Sequence, residues 1–128
     1  MPSIRSRITY HLVRRKLARL RALKLPLPEA RALGDRNSAR LFKMPAGVST
    51  EATTIAGLHG EWLRPTARPA RGLLLYLHGG AYVQGSVKTT RAMAARLALA
   101  SVSPTFIVDY RLAPEHPFPA ALDDAVAV

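Results

Sequence analysis

The sequence predicts an α/β fold in which a glycine-rich loop joins a buried strand to a helix. Residues 72–77 form a continuous apolar run, which is typical of a strand buried on both faces of a parallel sheet. A helical stretch follows at about residues 90–100, and residues 105–108 predict a second strand. This order of strand, loop, helix and strand indicates a parallel βαβ unit, which is right-handed almost without exception.

A β-hairpin is predicted directly before this unit. Its strands are expected at residues 53–55 and 61–63, with a turn at residues 57–60 that contains two glycines. The hairpin and the βαβ unit together predict one α/β domain over residues 51–128. The loops at residues 78–86 and 109–119 each follow the end of a strand, so both are expected on the same rim of the sheet.

Residues 1–50 predict a basic helical arm that precedes the sheet. The pattern favours a helix over residues 4–25, with an imperfect apolar stripe at Val13, Leu17 and Leu20. Two prolines then end this helix, and one more short helix is expected in the rest of the arm.

The net charge of +11 lies entirely in the first part of the chain. Residues 1–71 contain fifteen Lys and Arg against four acidic residues, whereas residues 72–128 contain four basic and four acidic residues. Basic residues interrupt the apolar stretches of the arm, so neither a signal peptide nor a transmembrane segment is predicted, and a cytoplasmic location is expected. An arginine-rich, acid-free start is also the composition of an organelle transit peptide, and the sequence leaves that alternative open.

The residue types exclude several kinds of chemistry. The chain has no cysteine, which excludes disulfide bonds, cysteine nucleophiles and thiolate metal sites. The histidines are scattered, with no pair at metal-ligand spacing on one element, so neither a metal nor a cofactor is expected. They are His11, His59, His78 and His116. Aromatic residues are sparse in the basic arm and no nucleic-acid motif occurs, so no nucleic-acid partner is predicted.

The strongest indication of function is His78-Gly79-Gly80-Ala81, directly after the first buried strand. Enzymes that transfer acyl groups stabilise a developing oxyanion with backbone N–H groups. Two consecutive glycines allow the main chain to bend sharply and to approach a substrate closely. Loops of this kind serve that purpose in lipases and esterases. An ordinary connection between strand and helix is the alternative.

Two motifs resemble those of the hormone-sensitive-lipase-like group of α/β-hydrolases. Residues 74–82, Leu-Leu-Tyr-Leu-His-Gly-Gly-Ala-Tyr, resemble the oxyanion-loop motif of that family. Residues 109–120, Asp-Tyr-Arg-Leu-Ala-Pro-Glu-His-Pro-Phe-Pro-Ala, resemble its second signature. One departure is Thr90, where family members often have a further His. The resemblance implies an incomplete α/β-hydrolase sheet, made of the hairpin and the first parallel βαβ unit and preceded by N-terminal cap helices.

The resemblance also implies roles for the loop residues. The backbone amides of Gly80 and Ala81 would be the oxyanion donors, and Gly79 would shape the turn, so that the three form the oxyanion hole. His78 would brace the loop by hydrogen bonding, and Tyr82 would either line the pocket or simply pack. Ala81 stands where many members have a third glycine. Its amide can donate equally well, provided that the loop needs no positive φ there.

The acidic residues of the second motif have a structural and a catalytic interpretation. Asp109 and Glu115 predict an ion-pair network with Arg111 and neighbouring backbone amides, and a catalytic carboxylate pair is the alternative. Asp123 and Asp124 are expected to favour the start of a helix through its dipole.

The chain lacks the catalytic triad that this family uses. The triad is Ser, then Asp or Glu, then His, with the Ser in a Gly-x-Ser-x-Gly turn, and no such turn occurs here. Because the chain also ends within a helix predicted to begin near Pro119, it is expected to be a truncated frame or a fragment. We therefore predict that it does not hydrolyse esters on its own, and that exposed strand edges favour its aggregation.

The function that the sequence predicts is hydrolysis of a carboxylic ester. The expected mechanism is an acyl-enzyme mechanism with a Ser-His-Asp triad, of which this chain supplies only the oxyanion-hole loop. The resemblance implies an uncharged small-molecule or lipid-like ester as substrate. Two alternatives remain: a catalytically inactive ligand-binding relative, and a remnant whose basic helix makes a weak peripheral contact with anionic membrane surfaces.

Overall fold

The computed structural model describes residues 3–22, 24–67 and 72–128. These residues form four helices: α1 (Ile4–Ala22), α2 (Leu27–Leu41), α3 (Val87–Ser101) and α4 (Ala120–Ala127). They also form four strands: β1 (Val48–Ile55), β2 (Leu58–Pro65), β3 (Leu74–Tyr76) and β4 (Thr105–Val108). The chain divides into two compact units, Met1–Ala30 and Arg31–Val128, so that the boundary lies inside α2.

The second unit is built on a four-stranded sheet with the order β1-β2-β4-β3. β1 pairs with β2 and β2 pairs with β4, both antiparallel. β3 pairs with β4 in parallel from Leu74 opposite Thr105 to Tyr76 opposite Ile107, and α3 connects the two strands. The predicted hairpin and the predicted parallel βαβ unit are therefore confirmed.

The hairpin turn lies earlier than the sequence predicts. Ile55 pairs with Leu58, so the loop consists of Ala56 and Gly57 alone, with φ values of 51° and 80°. Two consecutive positive φ angles are what a two-residue turn of type I′ requires. Gly60, predicted to be part of the turn, lies in β2 for a packing reason. A Cβ atom there would lie 2.3 Å from the Phe106 ring, so only glycine fits under that ring.

The strand that is buried on both faces is β4 and not β3. All four residues of β4 are buried, because they lie between β2 and β3 and alternate between two cores. Ile107 packs with Leu63 and with α3 residues on one face. Phe106 and Val108 pack with Trp62 and with residues of the chain's last segment on the other face.

β3 corrects the expectation of a fully buried first strand. It is the last strand in the sheet order, and the structure pairs it with β4 alone. Its leucines are 38–42% exposed, and the flanking leucines are 45–62% exposed. These are Leu73, Leu74, Leu75 and Leu77. An apolar run therefore does not by itself show that a strand is paired on both sides.

α3 begins three residues before the predicted start because side chains cap its first turn. Ser86 and Thr89 form a capping box, in which each side chain bonds the backbone amide of the other. The Asp109 carboxylate accepts a hydrogen bond from the Val87 amide at 2.6 Å, and Asp35 accepts one from the Ser86 hydroxyl at 2.6 Å. Two acidic side chains thus lie at the positive end of the helix dipole.

The first unit consists of α1 and the start of α2. α1 begins at Ile4, where Ser3 accepts a hydrogen bond from the Ser6 amide at 3.2 Å, and it ends at Ala22 instead of the predicted residue 25. The side chains of Leu17 and Leu20, two members of the predicted apolar stripe, lie outside the described residues. No helix in the described part of the chain has the length and apolar character needed to cross a bilayer.

Candidate active site

The loop after β3 turns back tightly on Gly80. The Gly80 carbonyl accepts hydrogen bonds from the amides of Val83 and Gln84, both at 3.1 Å. Gly80 has a φ of 143°, and a Cβ atom there would lie 1.8 Å from the Gln84 carbonyl oxygen. Glycine is therefore required at this position, both for the backbone angle and for space.

Ala81 and Tyr82 follow in the left-handed region, with φ values of 53° and 61°. The condition attached to Ala81, that the loop should need no positive φ there, is thus not met. The Ala81 amide remains available as a donor, but a residue with a Cβ atom pays about 1 kcal/mol or more for this conformation. The turn is accordingly strained at two consecutive positions.

His78 is buried at the base of the loop, with 4% of its surface exposed. Its Nδ1 lies 3.1 Å from the Gly79 carbonyl, a contact that is a hydrogen bond when Nδ1 carries the proton. The imidazole stacks on the Tyr110 ring, with centroids 4.2 Å apart and planes 16° from parallel. A Cβ atom at Gly85 would lie 2.4 Å from Nδ1, so that glycine makes room for the ring.

Tyr110 also bonds directly to the loop after β3. Its hydroxyl donates a hydrogen bond to the His78 carbonyl, and its ring is buried. Burial, and to a lesser degree the nearby Tyr82 phenol, raises the pKa of Tyr110. The hydroxyl therefore stays protonated, and remains a donor, throughout the neutral range.

The loop lines an open cleft of about 690 Å³ at the carboxyl end of β3. His78, Gly79, Gly80, Ala81 and Tyr82 all contribute to its wall. No atom in the described ranges accepts a hydrogen bond from the amide of Gly80 or Ala81. Two uncommitted backbone donors thus adjoin the cleft.

The opposite wall of the cleft comes from the loop after β4 and from α4. Ala113 and His116 contribute from the loop, and Phe118 and Leu122 add apolar side chains that are 85% and 54% exposed. Tyr82 is 67% exposed at the rim, so it lines the cleft more than it packs. The predicted placement of the two loops on the same rim of the sheet is confirmed.

The acidic residues of the second loop form separate contacts and not one network around Arg111. Asp109 bonds to the Val87 amide, which agrees with the expected backbone partner. Glu115 pairs with Arg31, whose guanidinium contacts both carboxylate oxygens at 2.9 Å. The hydrogen bonds from Arg31 lower the pKa of Glu115. No group of three or more acidic or histidine side chains that could hold a metal occurs in the residues described.

Arg111 pairs with Asp124, which corrects the role expected for that residue. The Asp124 carboxylate is 5% exposed and accepts hydrogen bonds from the Arg111 amide at 2.7 Å and from its Nη2 at 2.6 Å. These bonds lower the pKa of Asp124. Asp124 lies in the second turn of α4, so it fastens the loop after β4 to the helix instead of starting the helix.

Three residues that contact or make room for the loop after β3 carry no role in the sequence prediction. Tyr110 lies within the second motif but has no recognisable signal for its contact with His78. Gly85 could have been predicted, because a further glycine in the same loop, five residues after Gly80, indicates another sharp bend of the backbone. Arg31 could not, because nothing local in the sequence relates it to a loop more than fifty residues away.

Comparisons with known proteins agree with this fold. Residues 74–128 match the sequence profile of a family described as the α/β hydrolase fold. The chain is 42% identical over 77 residues to an acetyl-hydrolase of Streptomyces hygroscopicus, a match that covers 60% of the chain and 25% of the relative. It is 35% identical over 113 residues to a carboxylesterase of Mycobacterium tuberculosis, covering 86% of the chain and 32% of the relative.

Solved structures give the same result. An esterase/lipase from an uncultured bacterium matches with a TM-score of 0.74 at 42% identity, over 81% of this chain and 34% of that one. An esterase from the bacterial hormone-sensitive lipase family matches with a TM-score of 0.74 at 35% identity, over 81% and 35%. The fold is the α/β hydrolase fold. Within that fold, the chain is similar to esterases of the bacterial hormone-sensitive lipase family. It spans about a quarter of the length of the acetyl-hydrolase and about a third of the length of the carboxylesterase.

Proposed function

We propose that this chain supplies the oxyanion hole of a carboxylic-ester hydrolase. The observation that carries the proposal is the pair of uncommitted amides, those of Gly80 and Ala81, beside a cleft. Gly79 precedes them and lets the chain enter the turn without a side chain. The relatives named esterase, carboxylesterase and acetyl-hydrolase support an ester as the substrate.

In the proposed mechanism, a serine hydroxyl attacks the ester carbonyl and the carbonyl oxygen acquires a negative charge. The amides of Gly80 and Ala81 donate hydrogen bonds to that oxygen, which stabilises the tetrahedral intermediate more than the planar ester. The histidine of the triad takes the proton of the serine hydroxyl during the attack and gives it to the alcohol as the intermediate expels it. Water then hydrolyses the acyl-enzyme that remains. The serine of the triad would stand in a Gly-x-Ser-x-Gly turn, and no such sequence occurs within these 128 residues.

His78 and Tyr82 are proposed as supports of the loop and not as acid or base. His78 is buried beneath the loop, stacked on Tyr110, with its Nδ1 facing a backbone carbonyl. Tyr82, Phe118 and Leu122 give the cleft an apolar wall, which favours an uncharged or lipid-like ester.

A hybrid enzyme tests the proposal. This chain is joined to the part of the Mycobacterium tuberculosis carboxylesterase that lies beyond the matched segment, and hydrolysis of p-nitrophenyl butyrate is measured. We expect turnover by the hybrid and none by the 128 residues alone. Gly80→Ala should lower the kcat of the hybrid at least about a hundredfold, because it displaces the donor amides.

Gly57→Ala is the matched control for this substitution. Gly57 also has a positive φ, but a Cβ atom there meets nothing within 4 Å, and the hairpin turn does not line the cleft. Its kcat should remain within about twofold of the parent hybrid. Equal effects of the two substitutions would contradict the proposal. A folded hybrid that binds the ester without turnover would favour the catalytically inactive, ligand-binding alternative.

A second candidate function rests on α1. Ile4, Ile8 and Leu12 recur every four residues and are 56–77% exposed, and Arg5 and Arg7 stand exposed beside them. This pattern of apolar and basic residues suits a peripheral contact of a cytoplasmic protein with an anionic membrane surface. In a vesicle sedimentation assay, the chain should bind phosphatidylglycerol vesicles more strongly than phosphatidylcholine vesicles, and Ile8→Asp should abolish the difference. Equal binding to both kinds of vesicle would refute this candidate.

A further inference from the structure

Arg31, in α2, contacts both loops that form the cleft. Its Nε donates a hydrogen bond to the Val83 carbonyl at 2.9 Å, and its Nη2 donates one to the Ala113 carbonyl at 2.7 Å. The same guanidinium forms a bidentate ion pair with the Glu115 carboxylate, in which Nη1 and Nη2 each donate a hydrogen bond to one oxygen at 2.9 Å. One side chain therefore joins the oxyanion loop to the loop after β4.

The two loops are also joined by their own backbones at the same place. The Ala113 amide donates a hydrogen bond to the Tyr82 carbonyl at 2.8 Å. Consecutive carbonyls of the oxyanion loop, those of Tyr82 and Val83, are thus held from outside the loop. Arg31 holds one of them directly and holds the other through Ala113.

These bonds fall directly after the strained residues Ala81 and Tyr82. A turn with two left-handed residues that carry side chains relaxes unless its surroundings hold it, and any relaxation would turn the adjoining amides away from the cleft. We propose that Arg31 is a positioning residue that keeps the oxyanion loop bent, so that the amides of Gly80 and Ala81 adjoin the substrate carbonyl. The catalytic part of this inference rests on the proposed function, whereas the structural part does not.

The arrangement requires arginine at this position. A guanidinium presents several donors in a fixed plane, so it can reach two carbonyls and both oxygens of a carboxylate at once. A lysine carries the same charge on one ammonium group at the end of a flexible side chain, and that group cannot reach all of these acceptors at once. The Arg31 side chain is 21% exposed, so water competes only weakly for its hydrogen bonds.

Amide hydrogen exchange of the 128-residue chain tests the structural part. In Arg31→Lys, protection of the Val83, Gln84 and Ala113 amides should fall about tenfold, because hydrogen bonds to a charged donor are lost at the loop. The amides of Ser103 and Asp109 bond to Ala98 and His59 and serve as internal references, expected to change less than about twofold. Arg36→Lys, an exposed arginine on the same helix, is the matched control and should change none of these amides.

Glu115→Gln keeps the test decisive if Arg31→Lys loosens the whole chain. It leaves Arg31 in place but weakens the ion pair, so the three loop amides should lose about two- to threefold of their protection. Loop amides that keep the parent protection in both variants, relative to the references, would overturn the proposal.

Kinetics of the hybrid enzyme test the catalytic part. Arg31→Lys should lower kcat for p-nitrophenyl butyrate about tenfold with KM within about twofold, since the amides act on the transition state and not on substrate binding. Arg36→Lys should leave both constants unchanged. A change in hydrogen exchange without a change in kcat would overturn the catalytic role of Arg31 alone. A lack of effect of Gly80→Ala as well would overturn the proposed function itself.

Discussion

Two turns in the described part of the chain place consecutive residues in the left-handed region, and they are supported in different ways. In the hairpin, Ala56 is followed by Gly57, and a Cβ atom at Gly57 would meet nothing within 4 Å. In the loop after β3, Ala81 is followed by Tyr82, and neither is glycine. The first turn is stable through its own sequence and the strands it connects. The second depends on side chains from distant parts of the chain.

This difference between the two turns shows that tertiary contacts maintain the left-handed conformation of Ala81 and Tyr82, which their own residue types do not favour. A type I′ turn relieves its strain with glycine and needs no further contact. The loop after β3 instead receives hydrogen bonds from Tyr110 at His78, from Ala113 at Tyr82 and from Arg31 at Val83. Strain that surrounding contacts must maintain is characteristic of functional sites.

The largest expected effect concerns the glycines of the two turns. Gly80→Ala should lower the free energy of unfolding of the chain by about 3 kcal/mol, because it adds a collision with Gln84 to an unfavourable φ. Gly57→Ala should lower it by about 1 kcal/mol, because only the φ is unfavourable. Urea unfolding followed by circular dichroism measures both values. Comparable losses would show that the collision relaxes freely and that the loop is less constrained than its contacts imply.

A smaller loss of stability is expected when the contact between Asp124 and Arg111, which holds the loop after β4, is weakened. Asp124→Asn should cost about 2 kcal/mol at pH 7, because it weakens charged hydrogen bonds to a buried carboxylate. The pKa of Asp124 is lowered in the folded chain, so its contribution is present above the ordinary aspartate value of about 3.9. That contribution is lost as the pH falls through the lowered pKa.

The pH dependence distinguishes this pair from other acid-sensitive groups. The parent and Asp124→Asn should differ in urea midpoint at pH 7. The difference should start to shrink as the pH falls below about 3.9 and should vanish only below the lowered pKa of Asp124. Glu115 is present in both proteins, so its own titration cancels from the difference. A constant difference between pH 7 and pH 3 would show that Asp124 acts through packing and not through its charge.

The smallest expected effect sharpens the comparison most directly. Ala81→Gly and Ala56→Gly each remove one unfavourable left-handed alanine, so each should raise the free energy of unfolding by about 0.5 kcal/mol. Only Ala81→Gly should also make the chain less sensitive to loss of Arg31, because a relaxed turn needs less external support. A double-mutant cycle with Arg31→Lys measures this coupling, and additive effects would contradict it.

The sequence predicts elements better than it predicts the contacts between them. The hairpin and the βαβ unit follow from local patterns. The oxyanion role of residues 78–82 stays a prediction, which rests on the resemblance of two motifs. The predicted turn position is wrong because Gly60 serves packing against Phe106, a partner far along the chain. The predicted burial of β3 is wrong because an apolar run records that a strand has apolar side chains and not which strands flank it.

The supports of the site are least predictable for the same reason. The sequence shows that Asp124 lies near the start of a helix, and it therefore predicts a contact with the helix dipole. It does not show that Asp124 pairs with Arg111. The left-handed conformation of Ala81 follows from the folding of the whole loop and not from its residue type.

The start of α3 draws on three parts of the chain, which has a consequence for folding during synthesis. The capping box between Ser86 and Thr89 forms within a few residues, and Asp35 has been made long before. Asp109 lies 22 residues beyond Val87, and a ribosome that adds about 5–20 residues per second supplies it about one to four seconds later. A nascent α3 can therefore begin on local caps, and it receives its last partner only when the chain that follows β4 has emerged.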